Sequence, residues 1–147
     1  SGRLTILTPA AATPAVDVEE VRGFWSALGS TVSTMPPRDH DRILAMTSHA
    51  PHVMAAAIAA ATPAEARGFT AGGWRDTTRI AASDPMLWRE ILASNRTEVL
   101  AALRAYRAEL DVFVKALESG DDATVAARME RGRVYRAGMR PPPPAPR

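Results

Sequence analysis

The stretch Val99-Leu-Ala-Ala-Leu-Arg-Ala-Tyr-Arg-Ala-Glu-Leu-Asp-Val-Phe-Val-Lys-Ala-Leu117 decides the fold of this chain. Its large apolar residues recur at alternating steps of four and three, the heptad spacing of a helix with one apolar seam: Val99, Leu103, Tyr106, Leu110, Phe113 and Leu117. Such a seam fits a helix packed inside its own bundle or a helix shared with a second subunit. With either partner, the chain is predicted to be mainly α-helical.

Helical patterns also precede this seam. Residues 39–61 are predicted to form one long helix with a kink at Pro51, because proline removes a backbone donor. Thr62-Pro63-Ala64-Glu65 has the spacing of a capping box with proline at the first helical position, and Ser83-Asp84-Pro85 is expected to start another helix. These signals predict a helical domain over residues 37–138.

The N-terminal part of the chain has a different pattern. Residues 4–8 and 31–35 are short runs rich in β-branched side chains, which predict strands. A helix between them is expected to begin with a capping box at Asp17 and to end at Gly29. Two strands alone expose both sheet edges, so residues 1–36 are predicted to be a β-α-β remnant of a larger sheet.

The C-terminal part is basic and rich in proline. Gly120 is expected to end the seam helix, a last helix is predicted over residues 123–137, and residues 139–147 are predicted to form a disordered tail. Six arginines lie between residues 128 and 147, although the net charge of the chain is only +2. These arginines suggest a further hypothesis, that the chain binds nucleic acid through its basic tail. We do not favour it, because the tail has little aromatic content.

The densest polar cluster is Gly72-Gly73-Trp-Arg-Asp76-Thr-Thr-Arg79-Ile-Ala-Ala-Ser-Asp-Pro85. Paired glycines tolerate positive φ, so a tight bend is expected at Gly72 and Gly73. Asp76 lies three residues before Arg79, where on a helical turn it can orient the guanidinium. Arginine binds a carboxylate through two parallel hydrogen bonds. The segment therefore predicts a site for an anionic small molecule.

All three histidines lie upstream, in His40-Asp41 and in Ser48-His49-Ala50-Pro51-His52. His49 and His52 are three residues apart and are expected to share a helix face near the kink. Either ring can assist ligand binding near neutral pH, and the alternative is helix packing with one backbone hydrogen bond. No metal site is predicted, since zinc requires three or four ligands and no third ligand has suitable spacing.

In this order, followed by Trp88 and Asn95-Arg96, these motifs closely resemble the C-terminal half of prephenate and arogenate dehydrogenases, also called cyclohexadienyl dehydrogenases. The resemblance covers roughly residues 4–120. It departs from the family pattern at Ala50, where the family has leucine, and at Trp74, where phenylalanine is more usual.

The resemblance implies an oxidative decarboxylation in tyrosine biosynthesis, with NAD or NADP as the hydride acceptor. It also implies that residues 1–36 end a Rossmann-like nucleotide-binding domain and that residues 37–138 form a helical substrate-binding and dimerisation domain. No Gly-x-Gly-x-x-Gly follows a strand here, so the dinucleotide and the catalytic histidine are expected in a part of the protein upstream of this chain. The isolated chain is therefore expected to be inactive.

The resemblance also implies roles for individual residues. Arg79 matches the arginine that grips the side-chain carboxylate of the substrate, and Asp76 belongs to the same polar network. His49 is expected at the mouth of the site and His52 further in. Further substrate-binding positions are implied at Ser48, His40, Gly72, Gly73 and Trp88, the last reaching toward the partner subunit. No catalytic, cofactor-binding or metal-binding residue is assigned to this chain.

Composition sets the remaining expectations. The absence of cysteine excludes disulfides and thiolate chemistry and fits a cytoplasmic protein. No run of about 18 uninterrupted apolar residues occurs, so no membrane partner is expected. The expected partners are prephenate or arogenate and a second copy of the protein. The alternative hypothesis is a helical dimerisation or interaction module without catalysis of its own.

Overall fold

The computed structural model describes residues 2–139. The predicted fold class is confirmed: helices dominate, and strands are limited within these residues to one parallel pair near the N-terminus. In chain order the elements are β1 (Leu4–Leu7), α1 (Ala15–Ala27), β2 (Thr31–Thr34), α2 (Pro37–Leu44), α3 (Ala50–Ala61), α4 (Gly72–Thr78), α5 (Pro85–Ser94), α6 (Arg96–Ser119) and α7 (Asp122–Ala137). The predicted tail, residues 139–147, lies outside the described residues apart from Met139.

The N-terminal segment is the expected β-α-β unit. β1 and β2 pair in parallel with Leu4 opposite Thr31, and α1 connects them. Gly29 follows α1 with φ of 81°, the left-handed conformation expected of a helix-ending glycine. The predicted capping box is wrong: α1 begins at Ala15 after Pro14 with no side-chain cap, so Asp17 lies inside the first turn. Because the fixed φ of Pro14 already suits the start of a helix, α1 begins directly after it and Asp17 does not occupy the N-cap position.

The long helix around Pro51 is interrupted in a way that the sequence did not predict. Between α2 and α3, residues Ala45–His49 form a π-helical turn, in which the N–H of Ala50 donates to the carbonyl of Ala45, five residues back. Pro51 follows at once, in the first turn of α3. The wide π turn therefore accommodates Pro51, which has no backbone N–H to donate. Ser48 and His49 lie within this turn.

Two further local predictions are corrected by the structure. Thr62 is not an N-cap but ends α3, with its hydroxyl donating to the carbonyl of Ile58 at 2.8 Å. The same hydroxyl accepts the indole N–H of Trp74 at 2.9 Å. Gly72 and Gly73 form no bend: they are the first residues of α4, and neither has positive φ. The hydrogen bond from Trp74 holds the start of α4 against the end of α3.

The later helices begin and end close to prediction. Asp84 caps α5 by accepting the N–H of Met86 at 2.9 Å, with Pro85 at the first helical position. Gly120, with φ of 69°, follows α6, and Asp121 caps α7 by accepting the N–H of Thr124 at 3.0 Å.

The described residues divide into two compact units. Residues 2–40 and 106–139 belong to one, and residues 41–105 form the other. The second unit holds most of the buried apolar residues, and these are small: Ala45, Ala50, Ala55, Val99 and Ala102. Small side chains let helices approach closely. The core of this unit therefore lies beside the π turn and the first turns of α6.

The heptad seam of α6 changes character along its length. Val99 is buried, whereas Leu110 is 48% and Leu117 67% exposed within the described part of the chain. Tyr106 lies between them, and partial burial together with Tyr135 raises the pKa of its phenol. The seam thus packs inside the chain at its N-terminal end and is open at its C-terminal end.

One helical stretch has a composition that a membrane span could also have. The run Pro37–Ala61, 25 residues long, reaches a mean hydropathy of 1.3 in its most apolar window, of which 17% is buried. Length and composition alone do not distinguish such a span from a core helix of a soluble domain. The expectation of no membrane partner stays a prediction.

Candidate functional site

Two histidines and a tryptophan meet beside the π turn. The ring of His52 stacks on the ring of Trp88, with centroids 3.5 Å apart and planes 23° apart. His49 meets the same tryptophan edge-on, with centroids 6.1 Å apart. The expectation that His49 and His52 share one face is confirmed, because both contact Trp88. In addition, Nδ1 of His52 lies 2.9 Å from the carbonyl oxygen of Ser48.

Asn95 completes this cluster and was not predicted as a site residue. Its Nδ2 lies 2.7 Å from the carbonyl oxygen of Asp41 and 3.2 Å from Nδ1 of His49. Asn95 is only 8% exposed. The sequence signal was its place in the Asn95-Arg96 motif, but its contacts are with residues about fifty positions earlier in the chain.

An apolar cavity of about 350 Å³ opens beside the stacked rings. His52 and Trp88 contribute to its wall, and α3 supplies Val53 and Ala56. The short 3₁₀ helix Arg79–Ala82 supplies Ile80 and Ala81. The two motifs that the sequence singled out, which are about thirty residues apart, therefore border one cavity.

The Gly-Gly-Trp-Arg-Asp-Thr-Thr-Arg motif folds as α4 and the start of that 3₁₀ helix. Gly72, Gly73, Asp76 and Arg79 are all exposed, and a side chain added at either glycine would meet nothing within 4 Å. Arg79 itself is not among the residues of the cavity wall, although the next two residues are. The motif thus exposes Asp76 and Arg79, and Arg79 directly precedes the cavity-wall residues Ile80 and Ala81.

The predicted pairing of Asp76 with Arg79 is absent. Among residues 2–139, neither side chain makes a hydrogen bond or an ion pair. The reason is the change of helix type: α4 ends at Thr78, and Arg79 begins a tighter 3₁₀ turn. The spacing of three therefore spans two kinds of helix instead of one regular turn.

Other residues of the motif are structural. Trp74 donates its indole N–H to Thr62 and is not part of the cavity wall, so the bulkier ring serves to hold α4 in place. Thr78 is buried, and its hydroxyl donates to the carbonyl of Trp74 at 2.8 Å. These two side chains fix the position from which Arg79 projects.

The remaining predicted position, His40, lies in α2 and is half-buried. In the described part of the chain, no group of three or more His, Cys, Asp or Glu side chains is arranged to hold a metal ion. That no metal is needed stays a prediction.

The described residues are those of a mainly helical protein with a two-stranded parallel sheet and, within residues 41–105, an apolar cavity that His52 and Trp88 border. Residues 36–131 match the family model described as the prephenate dehydrogenase dimerization domain. This match covers well over half of the chain, so the chain belongs to that family. The recognition made from the motifs is thereby confirmed.

Individual relatives support the same family assignment. The chain is 37% identical over 123 residues to the cyclohexadienyl dehydrogenase of Zymomonas mobilis, covering 79% of this chain and 42% of that protein. It is 31% identical over 140 residues to the prephenate dehydrogenase of Bacillus subtilis, covering 91% of this chain and 38% of that protein. The chain thus spans less than half the length of these relatives.

A solved structure shows the same fold. The prephenate dehydrogenase from A. aeolicus, in complex with hydroxyphenyl propionate and NAD+, superimposes with a TM-score of 0.80 at 28% identity. The match covers 91% of this chain and 49% of that chain. The described residues therefore correspond to about half of a dehydrogenase subunit.

Proposed function

We propose that this chain is the C-terminal helical part of an NAD(P)-dependent prephenate or arogenate dehydrogenase, and that it supplies substrate-carboxylate binding and the dimer interface. The relatives' names support the activity. The observation that carries the proposal is the cavity of about 350 Å³ shared by the histidine cluster and the helix that Arg79 begins. A cavity edge with an exposed guanidinium suits a cyclic, carboxylated metabolite.

The proposed reaction is an oxidative decarboxylation. The carbon that bears the ring hydroxyl loses a hydride, the ring carboxylate departs as CO₂, and the product is a phenol. The dinucleotide, NAD or NADP, supplies the hydride acceptor. The loop between β1 and α1, residues 8–14, does not fit the phosphates of that group, because it contains no glycine and so lacks a phosphate-binding turn. We therefore place dinucleotide binding outside this chain.

The chain's own residues bind and orient the substrate. Arg79 provides the charged fork for the side-chain carboxylate, and Asp76, Gly72 and Gly73 on the preceding helix α4 are proposed as further binding positions. His52 and Trp88 border the cavity, and His49 and Ser48, which contact these two residues, are proposed as further binding positions. His40 is proposed as a further binding position. Holding the ring rigidly against a hydride acceptor is the chain's contribution to rate.

We further propose a homodimer formed through the helical domain and a cytoplasmic location. The family's description as a dimerization domain supports the former. The absence of cysteine in the chain fits a reducing compartment and supports the latter.

The proposal is tested by comparing the complete protein with the chain of 147 residues. Each is given prephenate or arogenate with NAD+ or NADP+, and reduced dinucleotide is followed by absorbance. The complete protein is expected to turn over one of these combinations, and the chain alone none. No turnover by the complete protein would favour a dimerisation module without catalysis. Turnover by the chain alone would contradict the proposal that dinucleotide binding lies outside this chain.

A further inference from the structure

Asn95 occupies a junction that fixes its side chain. It ends α5, where its N–H donates to the carbonyl of Ile91, and its own carbonyl accepts the N–H of Val99 in the first turn of α6. Backbone hydrogen bonds on both sides and 8% exposure leave the amide little freedom. The side chain bridges from this junction to the π turn, through Asp41 and His49.

The hydrogen bonds of Asn95 determine where the proton of His49 lies. The carbonyl oxygen of Asp41 can only accept, so the amide group that faces it at 2.7 Å must be the NH₂ group. The same nitrogen lies 3.2 Å from Nδ1 of His49 and has only N–H bonds to offer. Nδ1 of His49 must therefore accept, and the proton of the neutral ring is on Nε2.

His52 has the opposite arrangement. Its Nδ1 faces the carbonyl oxygen of Ser48 at 2.9 Å, and because a carbonyl only accepts, Nδ1 must carry a proton. Both rings are oriented further by Trp88, stacked on His52 and edge-on to His49. Two neighbouring histidines on one helical turn are thus held in different tautomers.

We propose that Asn95 is a positioning residue of the substrate site, which holds His49 as the neutral tautomer with its proton on Nε2. In that tautomer Nε2 of His49 carries the ring proton and Nδ1 carries none. This suits a substrate that presents oxygen acceptors, and the statement about substrate rests on the proposed function. The tautomer itself is argued from the two contacts of Asn95 and does not depend on the proposed function.

The first test is spectroscopic. Long-range nitrogen–proton correlation spectra of the complete protein, with isotope-labelled histidine and with His49 assigned through His49→Gln, report which ring nitrogens are protonated. We expect an unprotonated Nδ1 for His49 and a protonated Nδ1 for His52. A protonated Nδ1 on His49 in the unaltered protein would overturn the proposal, and His49→Gln serves only to assign the signals.

Substitutions then test the role of Asn95. Asn95→Ala should release His49 into a mixture of tautomers, while His52 keeps its proton on Nδ1. Asn95→Asp replaces the donor by an isosteric acceptor and should move the proton of His49 to Nδ1. Ser94→Ala, which removes an exposed hydroxyl from the neighbouring residue, is the matched control and should change neither ring. An unchanged His49 spectrum in a folded Asn95→Ala protein would overturn the proposal.

Kinetics separate this proposal from the proposed function. In an active dehydrogenase, Asn95→Ala should raise KM about tenfold with kcat changed less than about threefold, because it disturbs binding and leaves the hydride step to other residues. Unchanged KM would contradict a positioning role even if the tautomer changes. If the unaltered protein has no dehydrogenase activity, the proposed function fails, and the spectra still decide where the proton of His49 lies.

Discussion

At the scale of single residues, the contrast between buried and exposed polar groups separates structural from functional positions. Thr78 and Asn95 are buried, and their side chains make hydrogen bonds with the chain. Arg79 is exposed, and within residues 2–139 it makes neither a hydrogen bond nor an ion pair. A guanidinium that the fold does not use is available to a ligand or to a second subunit.

Replacing Arg79 by alanine in the complete protein should raise KM strongly and leave the thermal midpoint unchanged. The loss of a charged hydrogen-bond partner should cost about 2–4 kcal/mol of transition-state binding. Steady-state kinetics and a melting curve measure both effects. Arg67→Ala is the matched control, since Arg67 is also exposed but lies outside the motif. Equal kinetics for the two variants would assign Arg79 a structural or neutral role.

Spacing predicted some residue contacts and missed others, for physical reasons. His49 and His52 met the same ring because positions three apart share a face of a helical turn. Asp76 and Arg79 have the same spacing but do not pair, because the helix type changes between them. The partners of Asn95 come from tertiary packing of distant segments, which no local pattern encodes.

At the scale of elements, the sequence predicted where the helices are interrupted, but it did not predict the backbone conformation at each interruption. A disturbance at Pro51 was predicted, yet whether the chain kinks or widens into a π turn depends on packing against other helices. Likewise, Thr62 was identified as a boundary residue, but it ends one helix instead of starting the next. Thr, Pro and Gly mark boundaries reliably because they limit the backbone, whereas direction is set by tertiary contacts.

The cap of α7 makes a pH-dependent prediction. Hydrogen bonds from the hydroxyl and N–H of Thr124 lower the pKa of Asp121 below its ordinary value of 3.8. A carboxyl with a lowered pKa in the folded state contributes stability above the unfolded value and loses it as pH falls through the folded value. Asp121→Ala should therefore lower the melting temperature at neutral pH by about 2–6 °C.

The difference in melting temperature between Asp121→Ala and the unaltered protein should shrink as pH falls below 3.8, the ordinary value of this carboxyl. Circular dichroism melts at a series of pH values measure it. Asp122→Ala removes a neighbouring exposed carboxylate that does not supply the cap and serves as the control. A difference that stays constant across the acid range would contradict the ionised cap.

At the scale of the whole molecule, the α6 seam supports both interpretations that the sequence left open, at different ends. Its N-terminal end is buried at Val99, as expected of a helix packed in its own domain. Its C-terminal end exposes Leu110 and Leu117, as expected of a surface that a second subunit covers. Periodicity identifies the apolar stripe of a helix, but it does not say which chain packs on it.

Placing charges at this open end should weaken the proposed dimer. The double variant Leu110→Glu and Leu117→Glu creates no internal cavity, because both side chains are largely exposed, and it should raise the dimer dissociation constant about 30-fold or more. Sedimentation of the complete protein over a concentration series measures this. Ala108→Glu, an exposed position outside the seam, is the control. A double variant that stays dimeric at all concentrations would place the interface elsewhere.

The pair Gly72-Gly73 affects how alanine substitutions at these two positions are interpreted. Both residues lie in regular helix with empty space where a methyl group would go, so the folded chain tolerates alanine there and even gains helix propensity. An alanine scan of this pair is therefore a footprinting experiment: lost turnover with an unaltered or raised melting point marks the surface that a bound molecule occupies.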